Sequence, residues 1–387
     1  MSRQVAHVSP SPTSPGSGRR RSRYVLAAGL AATFGLTACS GGTAATSPSG
    51  AAAASSGAAA SKPAKPAKIA LVPGGPNVYF APWEKSAADA MSQFQIGQVD
   101  YVVPPTQTFE TSVQIGTLNS LTSKGYNGLA VFPDGATAMQ PTYQRVAARG
   151  VSIIDLAGCT KQPTPALFCL ATDVTAAAKE QTRLVIEKMG GKGNIVFLAG
   201  QPTDANTVQR QHGVEAAIAE TGGAVKLLQV VSNIDSPTAA APAIQSLLAG
   251  KADQINGVIS TSYYPSVAGA EIWSKNPQYQ RIVFAAADNA PEVMAAVKSG
   301  AIFGTMWQNS SGQGLTASFM LNKIISGGCT VKDSGPWKTS ELTNRLIDSG
   351  YEFVTKENVA TYDGKPYGLP DVTTKLLEKA PQYLTCQ

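Results

Sequence analysis

The stretch "NGLAVFPDGATAMQPTYQRVAARGVSIIDL", residues 127–156, decides the fold of this 387-residue chain. Two short apolar runs, NGLAVFP (127–133) and VSIIDL (151–156), flank MQPTYQRVAARG, which has the length and composition of one helix. The runs are nearly continuous in apolar residues instead of alternating, so both faces of each strand are buried. Strands of that kind, joined through a helix, belong to a parallel sheet with right-handed crossovers. The same unit recurs outward in both directions. KIALVP (68–73) and VDYVVP (99–104) precede it, and ALFCLAT, GNIVFLAG (193–200), AVKLLQVV (224–231), NGVISTS (256–262) and RIVFAAAD (281–288) follow, each trailed by a helical segment. About ten such units exceed one comfortable sheet. The expected fold class is therefore α/β, with two doubly wound parallel-sheet lobes.

The first residues are of a different kind. Arg19, Arg20, Arg21 and Arg23 precede the apolar run YVLAAGLAATFGL (24–36), which is too short to span a bilayer comfortably, and LTAC ends at Cys39. This reads as an export signal over 1–38; the arginine pattern fits twin-arginine export poorly. Residues 39–67 are mostly Ala, Ser, Gly, Pro and Thr and cannot build a core, so a flexible tether is expected. Removing Arg3 and the four arginines above lowers the basic count from 31 to 26, against 25 acidic residues, a balance near +1. No basic face remains for nucleic acid, whose affinity rests on many phosphate contacts.

Four cysteines follow Cys39: Cys159, Cys169, Cys329 and Cys386. An even number in an exported chain points to disulfides, and four allow three pairings. The favoured one closes the Pro163/Pro165 loop through Cys159–Cys169 and pins the C-terminus through Cys329–Cys386. No C-x-x-C and no clustered histidines support a metal site, and no cofactor is expected.

In open α/β sheets, ligands bind beyond the carboxyl ends of the strands. The residues there are Asn77, Tyr79 and Phe80; Thr106 and Gln107; Asp134; Asp155; Thr172 and Asp173; Tyr263 and Tyr264; Asp288 and Asn289; and Gln308. Strand ends also gather loops and caps, so about half should be structural. His212 is the one histidine left after the signal and reads as a surface or cap residue. No G-x-S-x-G elbow and no phosphate-binding glycine loop occurs. The enzyme reading therefore reduces to a glycoside hydrolase using Asp134, Asp155, Asp173 and Asp288.

The aromatic stretch PNVYFAPW (76–83) completes this picture. A sugar presents hydroxyls at its edge and C–H groups on its faces. Burying a hydroxyl unpaired costs about 1–3 kcal/mol, so planar groups that donate and accept must surround it while rings cover its faces. Asn77, Asp134, Asp288 and Gln308 supply the first set; Tyr79, Phe80 and Trp307 are candidates for the second. Trp83 suits the cleft or the core equally.

These residues carry a resemblance. IALVP…NVYFAPWEKSAADA, LTSKGYNGLAVFPDGATAMQPTYQRVAARGVSIIDL, VQRQHGVEAAI and VFAAADNAPEVMAAVKSGAIFGTMWQNSSGQG are similar to successive blocks of the ribose- and galactose-type (type I) periplasmic binding proteins, sugar-binding subunits of bacterial ABC importers. The similarity spans Lys68–Ser326, and YEFVTKENV faintly resembles the rhamnose and autoinducer branch. LTAC resembles the lipobox, which implies acylation of Cys39. The resemblance implies ligand contacts at Asn77, Tyr79, Phe80, Gln107, Asp134, Asp173, Arg210, Tyr263, Tyr264, Asp288 and Gln308. It also implies a three-crossing hinge, with crossings near Asp155, near Gln308 and around 335–350. The lobes would then be 68–155 plus 309–345 and 156–308 plus 346–387. Two departures stand out. Tyr263 and Tyr264 replace an Asn-Asp-like pair, and Asp134 directly follows Pro133; both suggest a ligand larger or less hydroxylated than a hexopyranose. The implied protein is a monomeric, non-enzymatic lipoprotein outside the cytoplasm that delivers a sugar or polyol to an ABC transporter permease. The alternative is a sensor of the same fold.

Overall fold

The computed structural model describes residues 65–106, 108–365 and 368–386. Cys39, with the signal and most of the tether, lies outside the described residues, as does Gln107. In chain order the first sheet receives β1 (Lys68–Val72), β2 (Gln98–Tyr101), β3 (Gly128–Val131), β4 (Ser152–Leu156) and β5 (Cys169–Ala171), with helices α1 (Pro82–Phe94), α2 (Thr111–Ser123) and α3 (Gln140–Ala147) between them. The second receives β6 (Gly193–Leu198), β7 (Val225–Val231), β8 (Gly257–Ser260), β9 (Val283–Ala287) and β10 (Gly304–Gln308). Its helices are α4 (Val174–Lys188), α5 (Ala205–Ala219), α6 (Pro237–Lys251), α7 (Tyr263–Lys275) and α8 (Pro291–Ser299). Then come α9 (Ser310–Ile325), β11 (Thr330–Val331), β12 (Leu346–Asp348), β13 (Tyr351–Thr355), α10 (Pro370–Lys379) and β14 (Leu384–Thr385).

The strand orders are β12-β5-β4-β3-β1-β2 and β13-β10-β9-β8-β6-β7. All pairs in the two sheets are parallel except β10 with β13. Burial follows position: β3 and β10 are buried throughout, whereas the edge strands β2 and β7 are mostly half-buried. That gradient is why the inner strands read as unbroken apolar runs.

The strand register moves the first crossing. Cys169–Ala171 pairs with both β4 and β12 in the first sheet, so the chain leaves that sheet at Thr172–Asp173 and not near Asp155. The cause is a strand of only three residues. The chain returns at Asn309, since α9 packs on α1, β1, β3 and β4, and crosses again at Ser349–Gly350 between β12 and β13. The 346–387 assignment also changes. The tail comes back a further time: α10 packs on α9, β14 pairs with β11, and Leu376, Ala380, Tyr383 and Leu384 join the core that holds Ile69 and Leu71. The disulfides are Cys159–Cys169 and Cys329–Cys386, and the second fastens this returning tail.

Trp83 is a core residue. It is 0% exposed, and its indole N–H donates to the Ser310 carbonyl at 3.1 Å, locking α1 to the start of α9. Gly314 lies against it, where a Cβ would sit 2.9 Å from that of Ser86. Truncating so large a buried side chain leaves a cavity and removes the bond that ties α1 to the Ser310 carbonyl. Trp83→Ala is expected to lose about 3–5 kcal/mol in urea unfolding; a loss below about 1 kcal/mol would show that the α1–α9 seam is not held there.

Candidate functional site

On the first lobe the loop after β1 runs through Gly74 and Gly75 to Asn77. The Asn77 Oδ1 accepts the Tyr79 N–H at 2.9 Å and so caps the single turn Val78–Phe80. That turn divides the two rings. Tyr79 is half-buried; its hydroxyl donates to Gln313 Oε1 at 3.0 Å, and its carbonyl accepts the Ser310 hydroxyl at 2.7 Å. Burial first, then the negative charge of Asp288 on the other lobe, holds its phenol well above the ordinary value. Phe80 points the opposite way. It is 3% exposed and packs on Trp83 at 4.8 Å and Phe132 at 5.1 Å, so it is a core ring and not a cleft wall. Phe132 and the exposed Phe109 extend that stack outward, 6.0 Å apart. A Cβ on Gly74 would stand 2.5 Å from Phe109, so only glycine lets the ring lie there.

Asp134 follows β3. Its N–H donates to Gln114 Oε1 at 3.0 Å, its carbonyl accepts the Thr111 hydroxyl at 2.8 Å, and its Oδ2 is buried with no partner in the protein. Burial pushes its carboxyl up to about 6; the Thr111 hydroxyl opposes this, and the charges of Asp204 and Glu110 add to it. Asp204 starts α5 on the second lobe, so the two carboxylates sense one another between lobes.

The second lobe supplies a connected chain of polar groups. Arg210, on α5, donates to Gln308 Oε1 at 3.3 Å, and Gln308 Nε2 donates to Asp288 Oδ1 at 3.0 Å. Asp288 is 5% exposed and has φ +62, the left-handed region that Asp tolerates better than most residues. Its N–H donates to the Met306 carbonyl and its own carbonyl accepts the Thr305 hydroxyl, so the backbone is pinned on both sides. Burial pushes its carboxyl up to about 6, against the stabilising Gln308 bond and Arg210 charge. Gln308 ends β10, and Asn309, which follows it, begins the hinge. Tyr263 and Tyr264 open α7, half-buried and edge-to-face at 5.6 Å. Both phenols are raised by burial and then by a neighbouring carboxylate, Glu292 and Asp235 respectively.

The structure brings Tyr79, Arg210, Asp288 and Gln308 into one electrostatic neighbourhood between the lobes, sets Asp134 in the field of Asp204, and gives other candidates different work. Asp173 caps α4 through Ala176 N–H, donates its own N–H to Asp348 and faces Lys338 at 3.7 Å, all at the hinge. Asp155 is buried and accepts both the N–H and the hydroxyl of Thr160. Asp155 and Asp173 thus hold turns and caps. Trp307 packs on Tyr362 at 5.5 Å in the core of the second lobe. His212 is exposed and pairs with Glu341 at 2.8 Å. Two residues escaped the sequence reading. Asp235, four positions beyond β7, takes the Tyr264 N–H, and Thr261 directly follows β8. Thr261 carried the same strand-end signal as Asp288; Asp235 carried none.

Residues 69–329 match the family described as periplasmic binding protein domain. The chain is 24% identical over 255 residues, 66% of its length and 72% of the relative's, to a xylitol-binding protein of Mycolicibacterium smegmatis. An ABC transporter solute binding protein of Burkholderia graminis, solved in complex with D-arabinose, superposes with a TM-score of 0.67 at 20% identity, covering 78% of this chain and 99% of that one. One from Actinobacillus succinogenes with bound D-allose superposes at 0.65 and 20%, covering 76% and 100%.

The raised carboxylates set a pH dependence. Asp134 and Asp288, at about 6, and Asp155, at about 7, hold their protons more tightly folded than unfolded. Each therefore costs stability as pH rises from its unfolded value near 3.8 through its folded value. His212, raised by its Glu341 bond, adds stability below 6.5 that is lost as pH rises through its higher folded value. All four act in one direction. By scanning calorimetry the ligand-free protein should melt higher at pH 5.5 than at pH 8, and Asp155→Asn should flatten the difference. A melting temperature that climbs across that interval would contradict the assignment.

Proposed function

The chain belongs to the periplasmic binding protein domain family, and from that premise we propose that it is an extracytoplasmic solute-binding lipoprotein. It captures a sugar or polyol between its lobes and passes the ligand, unaltered, to an ABC transporter permease. Acylated Cys39 anchors it and residues 39–67 serve as the tether. One lobe consists of 68–171 with 309–348 and the returning tail, and the other of 172–308 with 349–369.

The observation that carries this reading is the Arg210–Gln308–Asp288 chain, with Tyr79 of the other lobe in the field of Asp288 and Arg210. Arg210 offers several N–H donors, Gln308 both donates and accepts, and Asp288 accepts only. Together they meet the mixed demand of adjacent hydroxyls, while Tyr79 supplies a flat face for C–H groups. Asn77 acts by capping the turn that presents Tyr79, and Tyr263 and Tyr264 close the second-lobe side. Solute-binding proteins of this fold have been solved with D-arabinose and with D-allose bound, and the Mycolicibacterium smegmatis relative is a xylitol-binding protein. Two lobes meeting at a hinge close on a ligand that contacts both, because only the closed form gains both sets of bonds.

A thermal-shift panel of pentoses, hexoses, pentitols and inositols tests the proposal, since a tight binder raises apparent stability. At least one should bind. Arg210→Ala and Asp288→Asn should each weaken that binder about 10- to 100-fold in titration calorimetry, the worth of hydrogen bonds to charged groups. Asn keeps the tolerance for positive φ, so Asp288→Asn isolates the charge. Undiminished binding in both variants would remove the site from this cleft, and conversion of a glycoside by the wild type would replace binding with catalysis.

A further inference from the structure

The polar groups of the cleft do not balance. On the first lobe the Asp134 Oδ2 is buried without a protein partner. On the second, Asp235 accepts the Tyr264 N–H with one oxygen while its Oδ1 is likewise buried and bare. A buried carboxylate oxygen can only accept, and leaving it unmet is costly. Thr261 is 5% exposed, its hydroxyl has no protein partner, and it lines a cavity of about 20 Å³ together with Arg210 and Gln308. That space holds a single oxygen atom's worth of ligand or solvent. Asp204 does not share this condition, because the Asn206 and Thr207 N–H groups and the Thr207 hydroxyl already occupy it.

Charge points the same way. Asp235 feels Arg210 and Asp204, Asp288 feels Arg210 and Asp235, and Asp134 feels Asp204 and Glu110. Among the described residues Arg210 is the cation that acts on Asp235 and Asp288, and Gln308 already takes one of its N–H groups. A ligand entering here meets bare acceptors on both sides and a negative surplus. It must bring hydrogens to both lobes and no anionic group.

Resting on the sugar- or polyol-binding reading above, we propose that Asp235 and Thr261 are ligand contacts of the second lobe, opposite Asp134 on the first. The two bare carboxylates, Asp235 and Asp134, select an uncharged polyhydroxy compound with free hydroxyls at both ends over its carboxylate-bearing counterpart, and Thr261 adds affinity. An alditol satisfies both bare carboxylates by donation; the matching aldonate puts a third carboxylate beside them. Specificity thus comes from repulsion as well as from contact.

Titration calorimetry with xylitol and xylonate, and with D-arabinitol and D-arabinonate, tests this. The wild type should bind an alditol at least about 100-fold more tightly than its aldonate, a difference of charge repulsion plus a lost donor. Asp235→Asn should weaken the alditol about tenfold and narrow the alditol-to-aldonate ratio by a similar factor, a change a purely structural role would not produce. Thr261→Val, which keeps shape and removes the hydroxyl, should weaken the alditol without changing the ratio. Unchanged alditol affinity and ratio in Asp235→Asn, with the wild type binding normally, would overturn this proposal and leave the sugar-binding reading standing. Equal wild-type affinity for alditol and aldonate would also overturn it. A wild type that takes neither these compounds nor any neutral sugar would sink both readings together.

Discussion

The lobes depend on how one buried side chain, Asn309, holds the place where they meet. It follows the last parallel strand of the second sheet and starts the helix that returns to the first. Its amide Nδ2 donates to the Ser349 carbonyl at 3.0 Å, and its Oδ1 accepts the Gly312 N–H and, at 2.8 Å, the Thr373 hydroxyl. Three chain segments that cross between the sheets are thus tied to one planar group. Gln313, one turn on, extends the cluster by donating to Ser349 Oγ at 3.0 Å and accepting from Tyr79. The crossing and the proposed site are therefore one network: Gln308 joins Arg210 and Asp288, Asn309 holds the crossing, and Gln313 steadies Tyr79.

Electrostatics gives that network its direction. A well-satisfied protein interior would not place Asp134, Asp235 and Asp288 where burial lifts all three carboxyls. Burial is the first cause of the lift, and Asp134 and Asp235 each keep one buried oxygen without a donor in the protein. On the proposed reading, closure does chemical work without bond making: it brings the bare acceptors of both lobes onto one guest. The raised carboxyls make the empty protein prefer mild acid, and on the proposed reading a donating guest favours their ionised form. Arg210 keeps the cluster from simply protonating, because its guanidinium charge opposes the lift on Asp288 and Asp235.

Much of this was legible in the sequence, for a physical reason. Strands buried on both faces cannot alternate, so KIALV, GLAV and GTMWQ announce themselves, and the strand-end rule leads to Asp134, Asp288 and Gln308. Arg210 needed the family resemblance, since helices carry many arginines. What stayed hidden depends on where chain segments meet. Cys169–Ala171 is too short to signal that it stays in the first sheet, which displaced the first crossing from Thr172 to Asp155. Tyr79 and Phe80 are adjacent rings in one tight turn, and only the turn decides which faces the cleft. Asp235 is bound by the N–H of Tyr264, a partner from another unit, and no local pattern announces it. The tail's return shows only once Leu384 is seen packed in the core of the first lobe.

The central claim is that an uncharged polyhydroxy guest lies between the lobes, bonded to both, and leaves unchanged. A crystal structure of the protein purified with its natural ligand tests this most directly. It should show the molecule intact, its C–H face on Tyr79, with hydroxyls donating to Asp134 on one side and to Asp288 or Asp235 on the other. A guest lying elsewhere, touching one lobe only, or cleaved within the crevice would contradict the account.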